Sequence, residues 1–361
     1  MRAAVMRDKK IVVDDIAVPV PGPGEVLVKT LACGICGSDL HALKHAERLV
    51  EVSRRSGGPF IMDPKRDIVM GHEFCAELVD FGPETQRRIK LGTRVCAMPV
   101  LFRGSRVETI GYSNENPGGY GEYMRLAEKL LLEVPDHLSS ERAALTEPMA
   151  VGYHAVQKAR LTPDDVPLVV GCGPVGLAVI AALKLNGSAP IVAADFSPRR
   201  RQLAEAIGAD VIVNPAEQSP FESWKQMAIY KDQAKAPALA PWLPGPALRP
   251  AVIFECVGVP GMIDSLMAGA PANSRLVVVG VCMEHDQIEP MMGINKELSI
   301  QFVLGYSGDE FRTTLLHLAE GRINYDQLIT GKVGVDGVAD AFAALASPEQ
   351  HAKILVEPWR S

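Results

Sequence analysis

The stretch Cys33-Gly34-Ile35-Cys36-Gly37-Ser38-Asp39-Leu40-His41 packs two thiols, a hydroxyl, a carboxylate and an imidazole into nine residues. Gly34 and Gly37 leave the backbone free to turn so that these groups can converge. Such a density of ligands and proton carriers points to a metal or a redox site. Alone, a CxxC is ambiguous between a zinc half-site and a redox pair. Gly71-His72-Glu73 adds an imidazole and a carboxylate, and Glu147-Pro148 adds another carboxylate at a stiff turn. One thiolate, one imidazole and one carboxylate, with a fourth position open, is the donor set of a catalytic zinc; a structural zinc is closed by four protein ligands.

The elements that must carry these residues follow from periodicity. Residues 1–32 alternate polar and apolar, with Pro19, Pro21, Gly22, Pro23 and Gly24 between two runs, which predicts antiparallel strands around a turn. ALKHAERLVEVSRR predicts a short helix, followed by a Gly- and Pro-bearing loop up to residue 70. Its mixed charges fit a solvated face or a wall of a substrate pocket. Residues 72–100 read as strands, and residues 139–160 as one helix with Ser139 or Ser140 as N-cap and Glu147-Pro148 as a kink.

A second region begins with VPLVV, a buried strand running into Gly171-Cys172-Gly173-Pro174-Val175-Gly176 and then the helical LAVIAALKLNG. The strand IVAAD and the helix RRRQLAEAIGAD follow, with Asp195 placed 19 positions after Gly176. A bare GxGxxG is weak evidence, but one set between strand and helix with an acidic residue at this distance is a dinucleotide fingerprint. The glycines let a pyrophosphate approach the helix N-terminus, and Asp195 would accept from ribose hydroxyls and repel a 2′-phosphate, which favours NAD. Arg199 and Arg200 are guanidinium groups that could instead receive phosphate, and Arg200 is kept in the candidate set. The later runs AVIFECVG and RLVVVGVC complete a doubly wound α/β sheet. Residues 215–250 contain an amphipathic helix around FESWKQMAIYKDQAK and then a Pro- and Ala-rich surface insertion, APALAPWLPGPALRP.

Composition bounds the function. The chain has 361 residues, enough for two domains, with 47% hydrophobic and 22% charged residues and a net charge of −6. That charge argues against nucleic acid as a partner. The N-terminus has no signal-peptide pattern and no run of membrane-spanning length, so a reducing cytoplasm is expected. The seven cysteines are scattered; Cys75, Cys96, Cys172, Cys256 and Cys282 read as small core residues.

GICGSD, GHE, EP-x-AVG-x-H and GCGPVG, in this order, resemble the zinc-dependent medium-chain alcohol and polyol dehydrogenases. The resemblance runs nearly end to end. It implies a Rossmann coenzyme domain at 149–298 and a discontinuous, mainly β GroES-like catalytic domain at 1–148 and 299–361. It also implies Cys36 and His72 as zinc ligands, with Glu73 or Glu147 as the third. Asp39 would orient His72, Ser38 and His41 would relay the proton through the cofactor ribose, and Cys33 would be structural. By the same resemblance Val279, Gly280 and Val281 flank the nicotinamide, and Val257 belongs to the cofactor site. The long spacing from Cys36 to His72 is similar to butanediol dehydrogenases. The four-cysteine lobe of many relatives is missing, since Cys96 is the only cysteine between Gly82 and Tyr120. One catalytic zinc and no structural zinc are therefore expected, with a loop in place of the lobe. A homodimer or homotetramer follows by analogy. The competing readings are a threonine-dehydrogenase-like activity, a zinc-free reductase branch lacking the Cys and His ligands present here, and a non-catalytic nucleotide-binding protein, which would have a broken ligand set.

Overall fold

In the computed structural model every residue is described except 105, 233–235, 237–245, 324, 326, 348 and 361. The chain divides into two compact units, Met1–Pro148 with Ser307–Ser361, and Met149–Tyr306.

Strands β1 (Arg2–Arg7) and β2 (Lys10–Asp15) pair antiparallel. Asp8 and Lys9 between them have φ of 49° and 60°, the left-handed pair that suits a two-residue hairpin turn. Strand β3 (Glu25–Gly34) ends with Gly34 opposite Glu73, the first residue of the antiparallel β4 (Glu73–Phe81). A β-carbon at position 34 would collide with the Glu73 carboxylate, so glycine leaves room for that side chain where the two strand ends meet. This register puts the chain leaving β3 beside the chain entering β4, which brings Cys36 to His72. Helix α1 (Gly37–Ser56) starts inside the cysteine-rich stretch and ends at Gly57, whose φ is 71°. The helix is longer than the sequence predicts, and it carries Ser38, Asp39 and His41 in its first turns.

Strand β5 (Arg94–Cys96) extends this sheet, and β6 (Val100–Arg103) and β7 (Arg106–Thr109) form a hairpin where a loop was expected. Strand β8 (Tyr123–Ala127) returns to β3, and β9 (Leu132–Glu133) joins β5. The single helix expected over 139–160 is two: α2 (Ser140–Ala144), capped by Ser139 Oγ accepting the Arg142 N–H, and α3 (Thr146–Ala159). Glu147-Pro148 therefore lies in the first turn of α3, where proline removes no intrahelical bond, and not at a kink.

The second unit alternates β10 (Val166–Val170), α4 (Pro174–Leu185), β11 (Val192–Ala194), α5 (Pro198–Ile207), β12 (Val211–Val213), α6 (Pro220–Ala228), β13 (Ala251–Glu255), α7 (Met262–Gly269), β14 (Arg275–Val278), α8 (Pro290–Lys296) and β15 (Ser299–Phe302). All pairings are parallel, in the order β12-β11-β10-β13-β14-β15. This is the doubly wound sheet, with its switch point between β10 and β13. Central strands such as β13 are buried along their whole length, as strands covered on both faces must be. Trp224 of α6 anchors the core by donating its Nε1–H to the Val166 carbonyl at 2.9 Å.

The expected return to the first unit at residue 299 is corrected. Ser299–Phe302 pairs with β14, so these residues belong to the second unit, and the first resumes at Ser307. There α9 (Gly308–Ala319), β16 (Ile329–Val333), α10 (Val338–Leu345) and β17 (Lys353–Val356) follow, and β17 pairs antiparallel with the end of β3. Two other expectations change. Helix α6 stops at Ala228, short of the predicted amphipathic run, and much of the Pro- and Ala-rich insertion lies outside the described residues. Cys256 and Cys282 are only partly buried, unlike Cys75, Cys96 and Cys172.

Candidate active site

The β3–β4 register gathers three ligand groups in the first unit. Atoms from Cys36, His72 and Glu73 lie within 4.8 Å of one another. Thiolate, imidazole and carboxylate are a donor set suited to zinc. Asp39 Oδ1 is 3.4 Å from His72 Nδ1, a carboxylate beside the imidazole without the angle of a good hydrogen bond. Burial works against the charged imidazole, but Asp39 outweighs it and raises the His72 pKa well above its ordinary value.

Asp39 is fully buried and held from several directions. It accepts from the Cys36 N–H at 3.0 Å, the Tyr112 hydroxyl at 2.7 Å and the Tyr120 hydroxyl at 2.6 Å. Burial opposes its charge, yet His72 and the two tyrosine hydroxyls lower its pKa overall. Ser38 Oγ is 2.9 Å from Tyr112 Oη. His41 lies one helical turn beyond Ser38, on the same side of α1. Tyr112 packs edge-on to Phe60 at 5.4 Å and lies 5.3 Å from the His72 ring, centroid to centroid.

Lys353 donates to both Glu73 oxygens, at 2.8 and 2.6 Å, and to the Ile35 carbonyl at 3.1 Å. Burial disfavours its ammonium, but Glu73, with Cys36 and Glu147 also contributing, raises its pKa overall. Glu147 is thus close enough to act on this cation, although its carboxylate is outside the three-ligand cluster. Cys33 is completely buried, and burial raises its pKa well above the usual thiol value, as fits a packing role. Sequence reasoning missed Tyr112, Tyr120 and Lys353. A lysine in the otherwise apolar, wholly buried strand KILV is a signal that could have exposed Lys353. Nothing local marks the tyrosines.

In the second unit the glycine-rich turn joins β10 to α4. Gly171 has φ of 90° and its N–H donates to the Ala194 carbonyl at 2.9 Å. A β-carbon at Gly176 would strike the Gly171 carbonyl, so this turn closes only on glycine. Pro174 and Val175 open α4. The buried Asp195 accepts from the Cys172 N–H at 2.7 Å and the Ser197 N–H at 2.8 Å. Arg200 is 3.9 Å from Asp195 Oδ2, and its Nε is buried without a partner. Glu255 Oε1 accepts the N–H groups of Val257 and Gly258, at 2.7 and 2.8 Å, while Gly280 presses against this loop. Val257, Val279, Gly280 and Val281 thus stand at the carboxyl ends of β13 and β14, where a doubly wound sheet holds its ligand. The open glycine turn and the orphaned guanidinium nitrogen fit a dinucleotide.

Residues 22–136 match the model of the alcohol dehydrogenase GroES-like domain, and residues 174–321 that of the zinc-binding dehydrogenase domain. The chain is 33% identical to (R,R)-butanediol dehydrogenase of Bacillus subtilis (strain 168), over 99% of this chain and 100% of that protein. A solved 2R,3R-butanediol dehydrogenase from Bacillus subtilis superposes with a TM-score of 0.79 at 32% identity, covering 99% of each chain. A zinc-binding dehydrogenase from Sinorhizobium meliloti 1021, solved bound to NADP, gives a TM-score of 0.78 at 26% identity, again over 99% of each chain. Likeness at a third of positions from end to end, with both domain models matched in order, means that the chain belongs to the zinc-dependent medium-chain alcohol and polyol dehydrogenases, enzymes that use NAD(P).

Proposed function

We propose that this enzyme transfers hydride between a secondary alcohol, diol or polyol and NAD, with one zinc per chain held by Cys36, His72 and Glu73. The single observation that carries this reading is the convergence of those three ligand groups within 4.8 Å. When bound, zinc supplies Lewis acidity toward an alcohol oxygen and the nicotinamide supplies a hydride acceptor. Asp39 holds the His72 ring in place, and Lys353 holds the Glu73 carboxylate. Ser38 takes the hydroxyl proton, and His41 passes it toward solvent. Glu147 is the second carboxylate of the site, tuning the charge around Lys353. The segment 1–148 with the return segment is the catalytic unit, and 149–306 binds coenzyme at Gly171, Gly173, Gly176, Asp195 and Arg200. Butanediol- and sorbitol-type substrates follow from the names of the relatives.

Asp195 at the end of β11 favours NAD over NADP, because a 2′-phosphate would meet a buried carboxylate. Exposed Phe302 on the edge strand β15 and Leu304 just after it suit a subunit contact in a homodimer or homotetramer. No helix among the described residues is long and apolar enough to cross a membrane, and the enzyme is assigned to the cytoplasm.

The test is zinc per chain by elemental analysis, paired with NAD and NADP reduction across a panel of secondary alcohols, diols and polyols. One zinc and NAD-linked turnover are expected. Two zincs per chain would overturn the single-site reading, and preference for NADP would overturn the role of Asp195. Absence of zinc, with no turnover after zinc is restored, would overturn the metal chemistry.

A further inference from the structure

Glu255 ends β13 and is only 1% exposed. A carboxyl group this deep needs hydrogen-bond donors, and it finds them on the loop it opens. Its Oε1 accepts both the Val257 N–H, at 2.7 Å, and the Gly258 N–H, at 2.8 Å. The backbone carbonyl of the same residue accepts the Val279 and Gly280 N–H groups, each at 2.9 Å. One residue thus ties the loop after β13 to the loop after β14, the first through its side chain and the second through its main chain. The loops also interlock. A β-carbon at Gly258, whose φ is 70°, would come within 2.7 Å of the Val281 nitrogen, and one at Gly280 would overlap the Gly258 nitrogen. Val257 and Val281 stand beside this contact, and both are exposed.

We propose that Glu255 is a positioning residue for the nicotinamide half of the coenzyme, which it serves by holding Val257 and Val281 in one fixed arrangement. Without its side chain the Val257 and Gly258 N–H groups lose their acceptor. Unpaired backbone donors cost free energy until the loop moves to satisfy them, and that movement carries Val257 away from Val281. The adenosine half is served elsewhere, by Asp195 at the end of β11, whose donors are the Cys172 and Ser197 N–H groups. A single oxygen of Glu255 receives both N–H groups, so an amide oxygen of the same reach can replace it. The role therefore belongs to hydrogen bonding and reach. The inference rests on the reading that Met149–Tyr306 binds the coenzyme with its nicotinamide at these two loops.

The test compares two ligands of the zinc-loaded enzyme, NADH followed by its fluorescence and ADP followed by calorimetry. The proteins are wild type, Glu255→Ala, Glu255→Asp and Glu255→Gln. NADH spans both halves of the site, whereas ADP lacks the nicotinamide and its ribose. Glu255→Ala should weaken NADH roughly tenfold, the worth of one or two hydrogen bonds. Its Kd for ADP should stay within about twofold of wild type, because Asp195 and Glu255 share no partner; this also shows that the variant is folded. Glu255→Asp keeps the carboxyl group but is one methylene short, and should behave like Glu255→Ala. Glu255→Gln should bind NADH within about threefold of wild type, since its amide oxygen takes the place of Oε1. Equal weakening of NADH and ADP overturns the inference, because Glu255 would then only stabilise the unit. So does unchanged NADH binding in Glu255→Ala and Glu255→Asp, or Glu255→Gln as weak as Glu255→Ala. A wild type that binds NADH no more tightly than ADP would instead overturn the reading of these loops as the nicotinamide site.

Discussion

Asp39 and Asp195 are both buried carboxylates that hold a loop in place, but their partners come from different distances along the chain. Asp195 accepts from Ser197, two residues away, and from Cys172, 23 residues away across one βαβ unit. Asp39 accepts from Tyr112 and Tyr120, 73 and 81 residues away, and its neighbour Glu73 is paired with Lys353 across 280 residues. The cofactor turn is thus a local device, built mainly from backbone N–H groups and glycine conformations. The metal end is a long-range device, built from side chains that only the antiparallel sheet brings together. A local device survives damage elsewhere in its unit, whereas a long-range one depends on every strand that feeds it.

The largest expected effect tests the long-range side. Lys353→Met leaves Glu73 charged and unpaired where both side chains are at most 2% exposed. Breaking a buried pair in this way costs about 3–5 kcal/mol, measured as lost stability of the zinc-free protein in urea unfolding. The double variant Lys353→Met with Glu73→Gln should recover much of it. A single variant as stable as wild type would mean that this pair does not hold the site.

A smaller effect belongs to the local side. Asp195→Asn keeps the shape of the side chain and removes its charge. The Kd for NAD should rise about tenfold, the range of one charge-assisted hydrogen bond, and discrimination against NADP should shrink; because an amide cannot accept from both the Cys172 and the Ser197 N–H, stability should fall by about 1–3 kcal/mol as well. Equal loss of both cofactors would show that Asp195 only shapes the turn.

The smallest effect comes from a long-range pair at the surface. Lys332 lies 2.5 Å from Glu141, and both side chains are about a third exposed, 33% and 31%. The hydrogen bond from Lys332 leads the causes that lower the Glu141 pKa from 4.5 to about 2. A folded pKa below the unfolded one adds stability at pH above 4.5, and that stability is lost as pH falls through about 2. Solvent screening limits it to ~0.5–1 kcal/mol. Wild type should therefore exceed Glu141→Gln by a constant margin near neutral pH, and the margin should shrink in acid. A margin that does not change with pH would break the assignment.

The same contrast explains what could be read from the chain. The β-α-β-α order around Gly171–Gly176 and Asp195 was legible because its signals lie within a few dozen residues. The candidate ligands Cys36, His72 and Glu73 were legible as residue types, but their meeting depends on the register that sets Gly34 against Glu73. The helix carrying Glu147 was misread as continuous because propensity hides the break at Leu145. The strand Ser299–Phe302 was assigned to the wrong unit because an apolar edge strand looks alike in either sheet.

The amino-acid sequence by itself determined the chemistry available: a soft and a hard ligand, an imidazole, a hydroxyl relay and a glycine turn with its acidic partner. Those choices are written in residue type and short spacing, where conformational preference and charge act locally. Tertiary structure alone decided which carboxylate joins the candidate ligand cluster, which lysine balances it, and which tyrosines hold Asp39. These depend on strand register and on packing across tens to hundreds of residues, and one step of register would turn every side chain on a strand to the opposite face.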